Sequence, residues 1–317
     1  MTLLEHLGAR RYWWIWAAVI PIACWTVIRV FGLESGAPLS ILIFFTPYAA
    51  VAALMITGVA AALRNWAAAA SVAVATACLA AAVLPRAIGG ETVQVPEGET
   101  LTVVSANVYL GAADAATLVS LVDRLDADLL SVQELTPSFV RRLRRLDLER
   151  LLPHSALLPQ PRGRGGGLYA RFPLTLLPHQ TRFLFRMPRA AMVLPDRTRL
   201  HVVAVHPQPP TMDVDRWREA LESLPPTGDA TPWLLVGDFN ATLDHAELRD
   251  VLDRGYRDAG DATGMGLEPT WPNGHESTPP ITIDHVLADR RLGIVDYGVL
   301  DQPGSDHRFV YARLALP

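Results

Sequence analysis

The 317-residue sequence predicts an α+β domain built on two packed sheets and preceded by three transmembrane helices. Three observations carry that prediction. Half of the residues are hydrophobic and only 19% are charged, with a mean hydropathy of +0.21, a combination that ordinary soluble domains seldom reach. The excess is concentrated in three long apolar stretches within the first 88 residues. Beyond residue 100 the pattern changes to many short β-rich runs with few helical segments between them.

The apolar stretches run over 12–31, 39–63 and 66–84. Each is close to or above the roughly 20 residues that a helix needs to cross about 30 Å of hydrocarbon. A cleaved leader would explain one short run only, and Trp13, Trp14, Trp16 and Trp25 suit an interfacial anchor better than a leader core. Buried helices of a soluble protein are the plain alternative, disfavoured because the three runs follow almost without polar interruption. With the N-terminus inside, Arg10, Arg11 and Arg64 lie on the cytoplasmic side against Arg29 and Arg86 on the other, a balance of three to two. Glu34, Glu91, Glu97 and Glu99 contribute little to that rule. Three spans then place everything after residue 88 outside the cytoplasm. Residues 85–100 combine Pro, Gly and acids without periodicity and read as linker. The expected organisation is a membrane part at 1–88, a linker at 89–100 and a second domain at 101–317. About 15 extended residues reach a few tens of ångströms, which keeps the second domain near lipid headgroups.

In chain order, LTVVSANV is a strand, and Ala113–Leu125 is an amphipathic helix with Leu118, Leu121, Val122 and Leu125 on one side. DLLSVQEL is a buried strand, after which Thr136 and Pro137 open a helix as cap and first residue. GLYARF, AAMVL, RLHVVAVH, WLLVGDF, TIDHVLA and FVYARLAL complete the strands, with helices at Asp213–Leu224 and His245–Arg254. At 217 residues this part can bury a full core without disulfides.

Charge and cysteine use exclude several functions. Residues 1–88 hold five Arg and two acids, a balance of +3, whereas the rest holds 23 Arg and 30 acids, a balance of −7. An acidic second part argues against a non-specific polyanion binder, whose affinity comes from clustered cations. All 28 cations are Arg. The run Arg141–Arg145 offers a phosphate patch, but the solvated face of a short helix is the preferred reading. Cys24 and Cys78 both lie in apolar runs, so no disulfide framework, Cys zinc site or Cys nucleophile serves the polar part. GxSxG and HExxH are absent, and GRGGGL at 163–168 falls short of a dinucleotide loop.

The chemistry-bearing residues terminate the strands: Asn107 after TVVSA, Gln133 and Glu134 after DLLSV, His206 after HVVAV, Asp238 and Asn240 in VGDFN, Asp284 and His285 in ITIDHVL, and Ser305, Asp306 and His307 before FVYARL. Singly, each has a structural reading: Asn107 as a turn former, Glu134 as a helix-start acid, Asp238 and Asn240 as an Asx turn, His206 as a satisfied core histidine. Together, carboxylates, amides and imidazoles at one sheet edge supply oxygen ligands for a hard cation, a general base and hydrogen-bond donors, as metal-assisted phosphoryl transfer requires.

In this order SANV, QE, HPQ, GDFN, IDH and SDH resemble the endonuclease/exonuclease/phosphatase superfamily, also called DNase I-like, over essentially all of 101–316. GGLYARFPL and TWP (Thr270–Pro272) stand where that family has similar features. The resemblance implies a four-layered α/β sandwich with the site between its sheets. It further implies that Glu134 is the primary Mg²⁺ ligand, with Mn²⁺ as a substitute, and that Asn107 and Asp306 help hold the ion or its waters. Asp238 orients or deprotonates the attacking water, and Asn240 binds that water or a phosphate oxygen. His307, paired with Asp284, is a base or a donor to phosphoryl oxygens; His206 stabilises the pentavalent centre; His285 is a neighbour without a catalytic role. A His at 206 fits the phosphatase, DNase and sphingomyelinase branches better than the abasic-site nucleases.

The small domain, its negative charge and the membrane spans favour a lipid-linked phosphate or diphosphate, with the bilayer as the other partner. Three spans before a small phosphatase domain also resemble VanJ-type membrane proteins of teicoplanin resistance, which implies an outward-facing enzyme acting on cell-wall lipid intermediates such as a polyprenyl diphosphate. A surface nuclease using Arg162, Arg164, Arg182, Arg186 and Arg189, a sphingomyelinase-like phosphodiesterase and a non-catalytic binding scaffold are the rivals.

Overall fold

The computed structural model describes residues 13–90, 92–94, 100–178, 181–274 and 278–316. Tyr12, Arg10, Arg11, Glu91, Glu97 and Glu99 of the sequence reading lie outside them. The chain divides into two compact units, residues 1–85 with Leu243–Ala246, and Arg86–Thr242 with residues 247–317.

The first unit contains α1 (Trp16–Phe31), α2 (Ala37–Ile43), α3 (Thr46–Ala62) and α4 (Trp66–Val83). Gly32 ends α1 in the left-handed conformation at φ 63°, returning its N–H to Ile28 O, and Asn65 caps α4 by accepting from Ala68 N at 3.3 Å. The packed seam is built of small residues, Ala49, Ala53, Ala60, Ala68 and Ala75, with Val72 and Leu79. Large apolar side chains, among them Ile20, Val51, Leu54, Met55 and Val74, point outward instead, the distribution expected of helices facing lipid.

Trp13–Phe31 and Trp66–Ala87 are each long and apolar enough to cross a membrane. The expected middle span at 39–63 is not one helix. It breaks between Ile43 and Thr46, where α2 and α3 bend by 72°. Pro47 has no N–H for the Ile43 carbonyl, and the Thr46 hydroxyl donates to it at 2.8 Å, closing a break that an unbroken apolar run does not announce. In the same unit the Arg29 guanidinium forms a buried pair with Asp244 at 2.6 Å, Ala246 N donates to Glu34 Oε1 at 2.5 Å, and His245 Nε2 lies 2.9 Å from Ser40 O. Arg29, counted above as a topogenic charge, is thus neutralised by a partner.

The second unit is built on two six-stranded sheets. With β1 Thr100–Asn107, β2 Leu129–Gln133, β3 His154–Leu158, β4 Gly166–Ala170, β11 Gly293–Leu300 and β12 Phe309–Ala315, the first has the order β11-β12-β1-β2-β4-β3. With β5 Leu174–Leu176, β6 Arg189–Val193, β7 Arg199–Val205, β8 Trp233–Asp238, β9 Tyr256–Asp258 and β10 Asp284–Asp289, the second has the order β5-β6-β7-β8-β10-β9. One core cluster lies between the sheets, with Val103, Leu129 and Val310 from the first and Val202, Leu234 and Val286 from the second. Another lies under α5 (Ala115–Arg124) and α6 (Pro137–Arg145), through Leu118, Leu121, Phe139 and Leu143. Asp114 and Thr136 cap these helices through Ala116 N and Phe139 N. In the Arg141–Arg145 run, Arg142 binds Gly111 O and Arg144 pairs with Glu149 on the surface. Within 85–100, Gly90 N donates to Ala262 O and Val93 N to Ile294 O, which binds this stretch to the second unit.

All eight expected strands form. Among the described residues four further strands, β3, β5, β9 and β11, join them, and they form the edges of the two sheets. The glycine run serves close packing: a Cβ at Gly165 would sit 2.1 Å from Leu135 O. No helix follows it, and β4 does.

Candidate active site

The sheet directions bring the strand-end residues together. β1 and β2 are parallel and β12 is antiparallel to β1, so the ends of β1 and β2 and the start of β12 share one edge. β7 and β8 are parallel and β10 is antiparallel to β8, giving the second sheet an equivalent edge. The first carries Asn107, Glu134, Asp306 and His307; the second carries His206, Asp238, Asn240 and Asp284. Two hydrogen bonds join them: Asn107 Nδ2 donates to Asp238 Oδ2 at 3.1 Å, and His307 Nδ1 donates to Asp284 Oδ2 at 2.9 Å.

Asp238 is the most connected group. Its Oδ1 accepts from Asn240 N at 2.8 Å, and its Oδ2 lies 3.7 Å from both His206 Nε2 and His307 Nε2. Asn240, left-handed at φ 48°, extends Nδ2 to Pro207 O at 3.1 Å. Burial raises the Asp238 carboxyl, helped by the Asp284 and Glu134 charges and opposed by His307. Burial alone would depress His307, but Asp284 and Asp238 outweigh it and raise the imidazole well above its ordinary value. At His206 no charge offsets burial, although Asp238 Oδ2 stands 3.7 Å from its Nε2. Burial first and the His307 charge second push it down to about 3, so it is neutral. Its Nδ1 is buried without a hydrogen bond, and its ring packs T-shaped against Phe185 with centroids 4.8 Å apart.

Glu134, left-handed at φ 57°, follows β2 directly, and its Oε2 accepts from Leu110 N at 2.5 Å. Burial raises its carboxyl, and the nearby Asp306 charge adds to the rise. Asp306 Oδ2 accepts from Trp271 Nε1 at 3.2 Å, while Oδ1 is buried with no protein partner. Two carboxylates that feel each other's charge, one with an orphaned oxygen, together with the Asn107 amide beside Glu134 offer oxygen donors of the kind that suits a hard divalent cation. By ligand-atom distance, Asp238, Asp284 and His307 also form a group within 4.8 Å of one another. Asp284 and His307 already face each other as a hydrogen-bonded pair, so the Glu134 side fits an ion better.

Several supporting residues were not assigned from sequence. Thr270 Oγ1 accepts from Ile283 N and Asp284 N at 3.0 and 3.1 Å, and Gln302 Nε2 and Ser305 Oγ donate to Asn107 O at 2.9 and 2.7 Å. Trp271 belongs to the TWP run, and nothing in the composition marks Gln302. His285, the neighbour of Asp284, makes its hydrogen bonds away from Asp238 and His307. Its Nε2 donates to Ala241 O at 2.9 Å and its Nδ1 faces Asp258 Oδ2 at 2.8 Å, tying down the turn that carries Asp238 and Asn240.

The sequence profile of the Endonuclease/Exonuclease/phosphatase family matches residues 104–307. No curated protein matches the chain. Among solved structures, an endonuclease/exonuclease/phosphatase from Beutenbergia cavernae DSM 12333 is 19% identical over 69% of this chain and 72% of its own, with a TM-score of 0.54. A humanized D. rerio TDP2 is 16% identical over 68% of this chain and 99% of its own, with a TM-score of 0.55. A family protein from Bacteroides thetaiotaomicron is 15% identical over 69% and 98%, with a TM-score of 0.51. At such identities the structures share the two-sheet fold, and the substrate has to be argued from the site.

Proposed function

The chain belongs to the endonuclease/exonuclease/phosphatase family, and from that premise we propose that it is a membrane-anchored, divalent-metal-dependent phosphoesterase that hydrolyses a lipid-linked, polyprenyl phosphate or diphosphate at the outer membrane surface. The carrying observation is that one chain combines the cross-sheet cluster around Asp238 with two helices able to span a membrane. A cell-wall lipid intermediate, and through it glycopeptide resistance, is the matching physiological setting.

Glu134, Asp306 and Asn107 would hold Mg²⁺, or Mn²⁺ in its place. When bound, the cation neutralises charge on the phosphoryl oxygens. Asp238 takes the proton of the attacking water, because burial favours its protonated form and Asn240 N fixes the orientation of its carboxylate. Asn240 Nδ2 binds that water or a phosphoryl oxygen. His307 carries the proton that Asp284 stabilises and donates Nε2–H to developing phosphoryl charge. His206, neutral at working pH, adds an uncharged contact to the pentavalent centre.

The test is hydrolysis by purified full-length protein with Mg²⁺ over a panel, read as phosphate released from polyprenyl diphosphate, phosphocholine released from sphingomyelin and strands cut in DNA. Release from the polyprenyl diphosphate, abolished by Glu134→Ala or His307→Ala, is the expected result. Nuclease activity without lipid-phosphate turnover would overturn the substrate, and retained activity in both variants would overturn the site. Protease accessibility of the second unit on intact cells reads the topology.

A further inference from the structure

Next to the cluster, the chain holds two large apolar side chains in solvent with unusual firmness. Tyr109 and Leu110 are 45% and 55% exposed. They form a run of left-handed backbone with Gly111, at φ 42°, 53° and 78°. A left-handed Tyr followed by a left-handed Leu is strained, and such strain persists only where surroundings impose it. Here the Asn107 and Glu134 side chains impose it. Tyr109 N donates to Asn107 Oδ1 at 3.1 Å and Leu110 N to Glu134 Oε2 at 2.5 Å. Arg142 holds Gly111 O, and a Cβ at Gly111 would strike Thr136 Oγ1.

The turn continues into a second apolar stretch. A Cβ at Gly163 would fall 2.4 Å from Leu110 Cδ2 and 2.6 Å from Glu134 Oε2, so Leu110, Gly163 and the Glu134 carboxylate are immediate neighbours. Arg164 O, one residue on, accepts from Arg186 N at 2.8 Å. That bond places the preceding pair, Leu184, 42% exposed, and Phe185, packed on His206, on the same rim. Exposed apolar surface is ordinary when scattered. Apolar side chains tied through their own amides, Tyr109 to Asn107 and Leu110 to the Glu134 carboxylate, are placed to meet whatever a phosphate bound at that carboxylate carries.

We propose that Tyr109 and Leu110 are specificity-determining residues that form an apolar jaw for the hydrocarbon chain of the substrate, with Leu184 and Phe185 continuing its wall. This rests on the phosphoesterase reading of the site and names the side chains through which it selects a lipid-linked ester. Each methylene laid on such a wall leaves water, a gain that grows with the length of a hydrocarbon chain and not with the hydroxyl groups of a sugar.

The experiment is calorimetric binding of ethyl, butyl and hexyl phosphonates to the full-length protein with Mg²⁺, in wild type and in Tyr109→Asn/Leu110→Asn. Asn is polar and tolerates left-handed backbone, so the turn keeps its shape. In wild type, affinity rises about threefold per added methylene. In the variant, the ratio of hexyl to ethyl affinity falls about tenfold. A wild-type affinity independent of chain length, or a variant that loses ethyl and hexyl binding equally, overturns the proposal; the second result would mean that the turn merely supports Glu134. A nucleoside monophosphate that binds more tightly than hexyl phosphonate, and loses that advantage in the variant, overturns it in favour of base stacking. Because binding is measured without turnover, failure to hydrolyse polyprenyl diphosphate counts against the substrate reading while the chain-length ratio still judges the jaw.

Discussion

Gly237→Ala tests whether catalytic geometry depends on one close backbone approach. Gly237 precedes Asp238 on β8 at φ 154°, paired with Val205 of β7. A Cβ there would stand 2.0 Å from Val205 O and 2.9 Å from Gln133 Nε2. An unstrained carbon contact needs about 3.5 Å, so β7 and β8 must part by more than an ångström. The obstacle is a carbonyl, not a side chain that can rotate away. Overpacking and the forced φ together cost about 2–5 kcal/mol. At about 2–4 °C per kcal/mol for a unit of this size, the melting transition falls by roughly 4–20 °C. A displacement of this order at Asp238 also lowers turnover about a hundredfold. The assay is thermal unfolding of full-length protein in detergent, with hydrogen exchange at the β7 and β8 amides to place the loss, followed by kcat on the best ester. Gln133→Ala in the same chain should not rescue the variant, because the carbonyl remains. A Gly237→Ala protein that melts within 2 °C of wild type and turns over normally would refute the reasoning.

Three further outcomes follow from the site. Asp284→Asn removes the largest support for the raised His307 pKa, so kcat should fall by about 10²–10⁴ and the alkaline limb of the rate profile should move to lower pH; an unmoved limb would remove His307 as the group titrating there. Chelation with EDTA should abolish activity, and Mg²⁺ or Mn²⁺ should restore it in wild type but not in Glu134→Gln, read as phosphate release. The buried His285 is depressed by burial alone, but the Asp258 charge and hydrogen bond and the Ala241 carbonyl hold it above the ordinary 6.5. Its contribution is therefore complete below pH 6.5 and lost as pH rises through its folded value, so unfolding free energy from urea titrations should decline in that direction and His285→Gln should flatten the decline.

What the sequence revealed of the fold divides along sheet position. Central strands such as WLLVGDF and DLLSVQEL are buried on both faces and announce themselves as unbroken apolar runs. The four missed strands are the edges, where half-exposed residues and neighbouring Pro or Gly blur the pattern: Leu174–Leu176 follows Pro173, and Gly293–Leu300 contains Gly298. The polar residues of the site were legible because they interrupt apolar strands at their ends. Their supports were not. Thr270, Gln302 and Trp271 act through contacts spanning between 13 and 195 residues of chain, and no local pattern marks such pairs. The left-handed Tyr109 and Leu110 run against propensity, so only the fold reveals them. The bend at Phe44–Phe45 escaped for a related reason, since Pro47 reads equally as an early-turn residue of one helix.

Because the site is divided between the sheets, its integrity depends on their relative register. Asn107 with Asp238 and His307 with Asp284 bridge the mouth, and deeper in, Ser131 Oγ of the first sheet donates to Val236 O of the second at 2.9 Å. Ser131 is itself held by Gln133, whose Oε1 accepts from Ser105, so a chain of polar groups runs through an otherwise apolar interface toward Asp238. Apolar contacts tolerate small slips, but a buried polar chain does not, because each broken link leaves an unpaired group in low dielectric. The network therefore costs little while the sheets are in register and penalises every other arrangement. It positions Asp238 and Asp284 against His307 without requiring the surrounding core to be rigid at every side chain.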